Sequence, residues 1–245
     1  MSQVSSNHSQ ASEIIPDESL APPNMPVRPG WPEVIVGLVI LAAVTVGVAL
    51  LARQLGLGPV VFGLVLAALS GVATLAGFAA AMLLRIRSLG AFGVRRTTRR
   101  WLLIGVGAGV IAFAVKGLVV MAYTAVTGDS SNPQTAYADG GSGGMLSLIL
   151  ATLFIGVLTP LGEELLFRGV LTNALLRYGP FIGVGGSTLI FALAHGINVV
   201  FPAAVVMGLV GAELLRRSGS IWPAVIVHVI YNLPTVFVLV LTRAA

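Results

Sequence analysis

The chain contains no cysteine. Disulfides and thiolate metal sites are therefore excluded, and His and carboxylate remain as the only strong metal ligands. Charge is scarce too. Only 9% of the 245 residues are Asp, Glu, Lys or Arg, against 56% hydrophobic, and the mean hydropathy is +0.97. That excludes a soluble domain with a large core and leaves an all-α, polytopic integral membrane protein, a helical bundle of about seven transmembrane helices. Lysine is almost absent, and the histidines number three: His8, His195 and His228. The net charge of +5 and an isoelectric point near 10.4 do not imply a nucleic-acid partner. The cations sit in loops between apolar spans, where they orient the chain in the bilayer and meet membrane lipids.

The apolar runs are predicted to be spanning helices at 34–52, 60–84, 101–126, 145–178, 181–195, 203–215 and 220–241. Residues 1–30 are rich in Ser, Pro, Asn and Gln, with neither an apolar run nor a basic leader, and read as a disordered polar tail in which His8 is solvated. Residues 31–144 hold the first three spans. Trp31 anchors the first at the interface, and Gly71, Ala73 and Gly77 suit close helix contacts in the second. The 85–100 loop, with Arg85, Arg87, Arg95, Arg96, Arg99 and Arg100, is expected to be cytoplasmic. Alternation then puts Arg177, Arg216, Arg217 and the N-terminus on the same side, and the C-terminus outside. Lys116 lies inside the third span and must snorkel or face another helix. Residues 128–144 contain Asp129 and Asp139 but no Lys or Arg, which suits an external loop. Gly140–Gly143 matches the Gly-x-Ser-Gly of rhomboid serine proteases through Ser142, a match that a Gly/Ser linker produces by composition alone. The 145–178 run is too long for one simple span. It is either a tilted, projecting helix or it breaks near Pro160–Gly162.

That run carries two adjacent carboxylates, Glu163 and Glu164, and a guanidinium, Arg168, in oily surroundings. An ionisable group at the centre of a membrane helix costs about 2.5–3.5 kcal/mol, so a functional reason is the default expectation. Glu164 and Arg168 are four apart and share a helix face. Glu163 is turned about 100° away and needs a partner from elsewhere. The turn at 178–180 supplies one. Glu163 is sixteen residues before Gly179 and His195 sixteen after it, so an antiparallel pair brings them level. A similar count returns His228 to within about one turn of His195, with Asn232 four residues further on the same face. Such a cluster can position and deprotonate a water and hold an oxyanion. It can also present Glu163, His195 and His228 to a Zn²⁺ ion with water in the fourth position. The plainer alternative is a polar cluster that holds helices together.

At these residues the sequence resembles the CPBP family of intramembrane proteases, which includes the CAAX prenyl-protein endopeptidases and the Abi bacteriocin-immunity proteins. The family motifs Glu-Glu-x-x-x-Arg, Phe-x-x-x-His and His-x-x-x-Asn/Asp read here Glu163-Glu164-Leu-Leu-Phe-Arg168, Phe191-Ala-Leu-Ala-His195 and His228-Val-Ile-Tyr-Asn232. They occur in family order on separate apolar segments, over about 146–240. The resemblance implies a catalytic membrane domain at 145–245 and a hydrolase cutting a membrane-associated protein or peptide. Glu163 would act on water with His195, His228 and Asn232 would hold the oxyanion, and Glu164 with Arg168 would support them. It leaves metal-dependent and metal-free mechanisms both open. A non-catalytic scaffold or immunity protein and, further off, a transporter are the competing functions. The Ala-, Val-, Gly- and Arg-rich composition looks bacterial. That favours a cell-membrane location and a bacteriocin leader or another membrane peptide over a prenylated CAAX protein as substrate.

Overall fold

The computed structural model describes residues 27–243, with side chains through Val238. The tail expected over 1–30, with His8, lies outside the described residues except for its last four. Among the described residues the regular structure is entirely helical. Helix α1 is Trp31–Gln54, α2 Pro59–Leu84, α3 Arg99–Thr127 and α4 Thr135–Gly141. Helix α5 is the continuous Met145–Tyr178, α6 is Ile182–Ala194, α7 Val200–Ser218 and α8 Trp222–Arg243. All seven expected apolar runs are helices. Of these, α1, α2, α3 and α5 are long and apolar enough to cross a membrane, and α6 and the Trp222–Val238 part of α8 are shorter apolar helices. Helix α7 ends in Glu213, Arg216 and Arg217 and is the most polar of the set.

Two local expectations change. The 128–144 stretch is not a plain loop, because its Thr135–Gly141 portion is helical and lies on α2. A Cβ built on Gly63 would stand 2.4 Å from both Ala136 O and Gly140 N, so only a glycine admits this approach. The first helix also starts earlier than expected, at Trp31. Pro32 is tolerated in the first turn, and the Glu33 carboxylate accepts the Gly30 N–H at 2.7 Å.

Pro160 does not break α5. The helix widens instead, with π-helical turns at Phe154–Leu158 and Glu164–Thr172 on either side of an α-helical Thr159–Glu163. The Thr159 N–H reaches back five residues to Phe154 O. In that register Ile155 O would meet residue 160, a proline without an N–H. The Asn232 side-chain amide fills the vacancy, donating to Ile155 O at 3.3 Å. Further along, the Thr172 hydroxyl donates to Phe167 O, again five residues back. Such widened turns concentrate at functional sites.

Small residues set the helix spacing, as expected where lipid removes the hydrophobic drive for association. Gly71 and Thr74 of α2 lie directly on Gly162 of α5. A Cβ on Gly162 would sit 2.3 Å from Thr74 Oγ1 and 2.7 Å from Gly71 O. Gly37 of α1 meets Gly77 and Leu166, and Gly105 and Gly109 of α3 meet Pro223, Val227 and Ile230 of α8. At one end of the bundle the basic segments gather. Arg85 pairs with the buried Glu33 at 2.5 Å, Arg177 donates to Pro29 O, and the Trp31 indole donates to the Tyr178 hydroxyl at 2.8 Å. The turn before α8 joins the same layer, with Ile221 N–H donating to Gly93 O and the Ser220 hydroxyl to Arg95 O.

Candidate active site

The polar residues of α5 meet those of α6 and α8 beside a cavity of about 980 Å³, whose lining includes Glu163, His195, His228 and Asn232. Glu163 and Glu164 are both buried and point to opposite edges of one imidazole. The Glu164 Oε1 atom accepts from His228 Nδ1 at 2.8 Å, while Glu163 Oε2 lies 3.8 Å from His228 Nε2. Adjacency in sequence thus becomes a clasp around a ring from another helix. His195 ends α6 and brings its Nε2 to 3.9 Å from the same Glu163 Oε2.

The hydrogen bonds fix both ring tautomers. A backbone carbonyl can only accept, so His195 Nδ1, 2.9 Å from Phe191 O, carries a proton. His228 Nδ1 likewise donates to the Glu164 carboxylate. In neutral rings both Nε2 atoms are then acceptors facing a third acceptor, Glu163 Oε2, which has no hydrogen-bond partner of its own. Three converging lone pairs require protons or a cation between them. The separations are too long for direct hydrogen bonds. One oxygen atom about 2.8 Å from each could reach all three.

Arg168 balances one of the two carboxylates. It is 1% exposed, with Nε 3.1 Å from Glu164 Oε2, and Nη2 donates to Met207 O at 2.9 Å. Its guanidinium lies over the Phe191 ring at 4.4 Å and against Gly211, where a Cβ would approach Nε to 2.7 Å. The other edge of Phe191 meets His195 at 4.7 Å and His228 at 6.1 Å between centroids. Phe191 therefore separates the guanidinium from the two imidazoles and sets where each can sit. Two carboxylates against one guanidinium leave one negative charge in the buried cluster, which a proton or a metal ion would offset.

For zinc, the donors are chemically right and both Nδ1 atoms are held by acceptors, as ligating histidines usually are. The spacing is wide. Ligands at about 2.0–2.1 Å in a tetrahedron stand about 3.3 Å apart, against the 3.8 and 3.9 Å found. Among the described residues no three His, Asp or Glu side chains are spaced to share one ion as they stand.

Sequence reasoning missed several groups here. The Ser70 hydroxyl of α2 donates to Glu163 Oε1 at 3.0 Å. Tyr137 of α4, half-buried, lines the cavity; burial first, and the Glu163 charge second, push its phenol above the ordinary value. A lone Ser in an apolar stretch and a lone Tyr in a polar, linker-like one are the only signals they leave. Ser142, the rhomboid-like serine, is exposed and donates to Asp139 O at the end of α4. It is not among the residues that line the cavity.

Fold and site together define a polytopic α-helical membrane protein with carboxylates and imidazoles gathered around an embedded cavity. Residues 145–234 match the family model of Rce1-like proteins, described as type II CAAX prenyl endopeptidase Rce1-like. The matched segment is similar to that family over 90 of the 245 residues, and it contains Glu163, Glu164, Arg168, His195, His228 and Asn232. Among curated proteins and among solved structures no significant match is found.

Proposed function

We propose that the protein is an intramembrane endopeptidase that hydrolyses a peptide bond in a membrane-associated protein or peptide. The observation that carries this reading is the convergence of Glu163 Oε2 with two imidazole Nε2 atoms, at 3.8 and 3.9 Å, on a cavity of peptide size. A water held there donates one proton to Glu163 and another to His195. Glu163 takes the proton as the oxygen attacks the scissile carbonyl, and later delivers it to the leaving amine. The oxyanion is held by His228 Nε2–H and by the second N–H of the Asn232 amide. His228 Nδ1–H is held by the Glu164 carboxylate, so Nε2 faces the pocket, where a ring proton on it would be the oxyanion donor. Glu164 and Arg168 act by fixing His228. The same segments that crowd arginines at one end of the bundle would face the cytoplasm, by the positive-inside rule.

A second reading has Glu163, His195 and His228 close on Zn²⁺, which would polarise the carbonyl and acidify a bound water. It is favoured by the fixed Nδ1 atoms and requires each pair to approach by about half an ångström. One experiment addresses both. Wild type and Glu163→Gln are purified, their metal content is measured, and both are offered a quenched peptide library. Cleavage by wild type alone supports the endopeptidase; equal cleavage by the variant, or none by either, rejects it. Stoichiometric zinc in the wild type would favour the metal reading.

A further inference from the structure

The arginines at the basic end of the bundle are unevenly matched. Arg85 pairs with Glu33, and Arg216 and Arg217 pair with Glu213. Among the described residues Arg96, Arg99 and Arg100 meet no carboxylate. Arg96 is exposed and lines a groove of about 410 Å³ with Thr97, Leu102, Trp222 and Ile226. The groove lies between the start of α3 and the start of α8. None of its lining residues lines the cavity that holds Glu163.

Its walls suit an amphiphile. The mouth is cationic and the floor is apolar. Leu102 is four residues past the cap residue Thr98, about 6 Å into α3. Below it the exposed Leu103, Val106 and Val110 share one face of the helix and continue the apolar surface toward the bilayer. Trp222 is 39% exposed and stands at the polar boundary, where indoles settle. The segment that carries Arg96 is already held in place. The Ser220 hydroxyl donates to Arg95 O at 2.8 Å, and Ile221 N–H donates to Gly93 O at 3.0 Å. Arg96 is thereby fixed beside Trp222 before any ligand arrives.

We propose that this groove binds one anionic phospholipid of the surrounding bilayer, its phosphate on Arg96 and its acyl chains along Leu102 and Ile226. A guanidinium matches phosphate oxygens with paired N–H groups. Basic pockets between spanning helices on the cytoplasmic side take such headgroups. The unmatched Arg99 and Arg100 nearby favour an anionic headgroup over a zwitterionic one, which brings its own cation. A free phosphate shares the headgroup chemistry but leaves the apolar floor uncovered. The bound lipid clamps α3 to α8 next to the close contact of Gly105 with Pro223. Helix α8 also carries His228 and Asn232, so the lipid steadies the helix on which the candidate active site depends.

The full chain is purified in detergent and offered dioleoyl phosphatidylglycerol or dioleoyl phosphatidylcholine. Bound lipids are counted by native mass spectrometry, and Tm is read by thermal unfolding. One phosphatidylglycerol is expected to stay on each chain and to raise Tm by several degrees, with phosphatidylcholine about fivefold weaker or worse. Arg96→Gln lowers phosphatidylglycerol affinity by about fivefold or more and removes the rise in Tm. Arg100→Gln deletes the same charge from the same end, outside the groove, and keeps both. Leu102→Trp fills the groove with every charge in place and abolishes binding. Unchanged binding in either Arg96→Gln or Leu102→Trp overturns the proposal. Equal losses in Arg96→Gln and Arg100→Gln assign the effect to diffuse surface charge and overturn it too. So does equal binding of the two lipids, or a rise in Tm with inorganic phosphate as large as with phosphatidylglycerol. Binding and unfolding are read without any cleavage, so the endopeptidase reading can fail and leave this result intact.

Discussion

Replacing Glu164 by glutamine keeps the shape of the side chain and removes its charge. Two buried partners are affected at once. Arg168, 1% exposed, keeps only the Met207 carbonyl and the Phe191 face. His228 Nδ1 loses an anionic acceptor at 2.8 Å. Breaking a buried ion pair from one side destabilises by about 3–5 kcal/mol. At 1.36 kcal/mol per decade that is about 10²–10⁴ in the folding equilibrium. Arg168→Met is expected to be milder, because Glu164 keeps the His228 Nδ1 donor at 2.8 Å. The double variant Glu164→Leu with Arg168→Met leaves no orphaned charge, and apolar replacement of a buried pair is often neutral or better. It should recover most of the lost stability. The assay is reversible denaturant unfolding in mixed micelles, with Glu164→Leu added as the single variant that closes a double-mutant cycle. Peptide cleavage should stay low in Glu164→Gln and in the double variant, where His228 has lost its charged anchor. If the double variant is no more stable than the worse single, or if Glu164→Gln costs under about 1 kcal/mol, the pair is not the buried charge balance argued here.

Other perturbations have equally definite outcomes. Ser70→Ala removes the 3.0 Å hydroxyl donor to Glu163 Oε1; hydrogen bonds to charged groups contribute about 1.5–3 kcal/mol, so a stability loss of up to that order should appear in unfolding measurements, with a fall in kcat as Glu163 loses its positioning. Gly162→Val puts a Cβ 2.3 Å from Thr74 Oγ1 and 2.7 Å from the Gly71 carbonyl, forcing α2 and α5 apart; a loss of at least 1–3 kcal/mol, roughly, should appear in unfolding measurements. Asn232→Leu leaves Ile155 O without a donor beside Pro160, which should destabilise by about 1–3 kcal/mol. Cleavage should fall further than that stability loss explains if the amide also meets the oxyanion.

The helices were legible because hydropathy alone marks segments that must satisfy every backbone group internally. The level argument about the Tyr178–Pro180 turn needed only a constant rise per residue, and in the structure Glu163 and His195 do stand side by side. It could not see that Glu163 and Glu164 close on the two edges of one ring. That depends on where α8 sets the His228 ring between them, which no periodicity in the sequence announces. Nor could it tell a broken helix from a widened one at Pro160, because the compensating donor, Asn232, comes from a distant segment. The short helix α4 was hidden for another reason. Its Thr-Ala-Tyr-Ala-Asp-Gly-Gly composition reads as a loop, and it holds its place through backbone contact with Gly63. Ser70, Tyr137 and Lys116 are single polar residues in apolar or linker-like stretches, visible as oddities but without a partner until the chain is folded.

The account stands or falls on whether Glu163 activates water. Wild type and Glu163→Gln, shown to have matching thermal unfolding, are incubated with a cleavable peptide in ¹⁸O-labelled water. The account predicts one ¹⁸O atom in the new carboxylate of the wild-type product and a loss of rate of at least about 10³-fold in the variant. A folded Glu163→Gln protein that cleaves at the wild-type rate would contradict it.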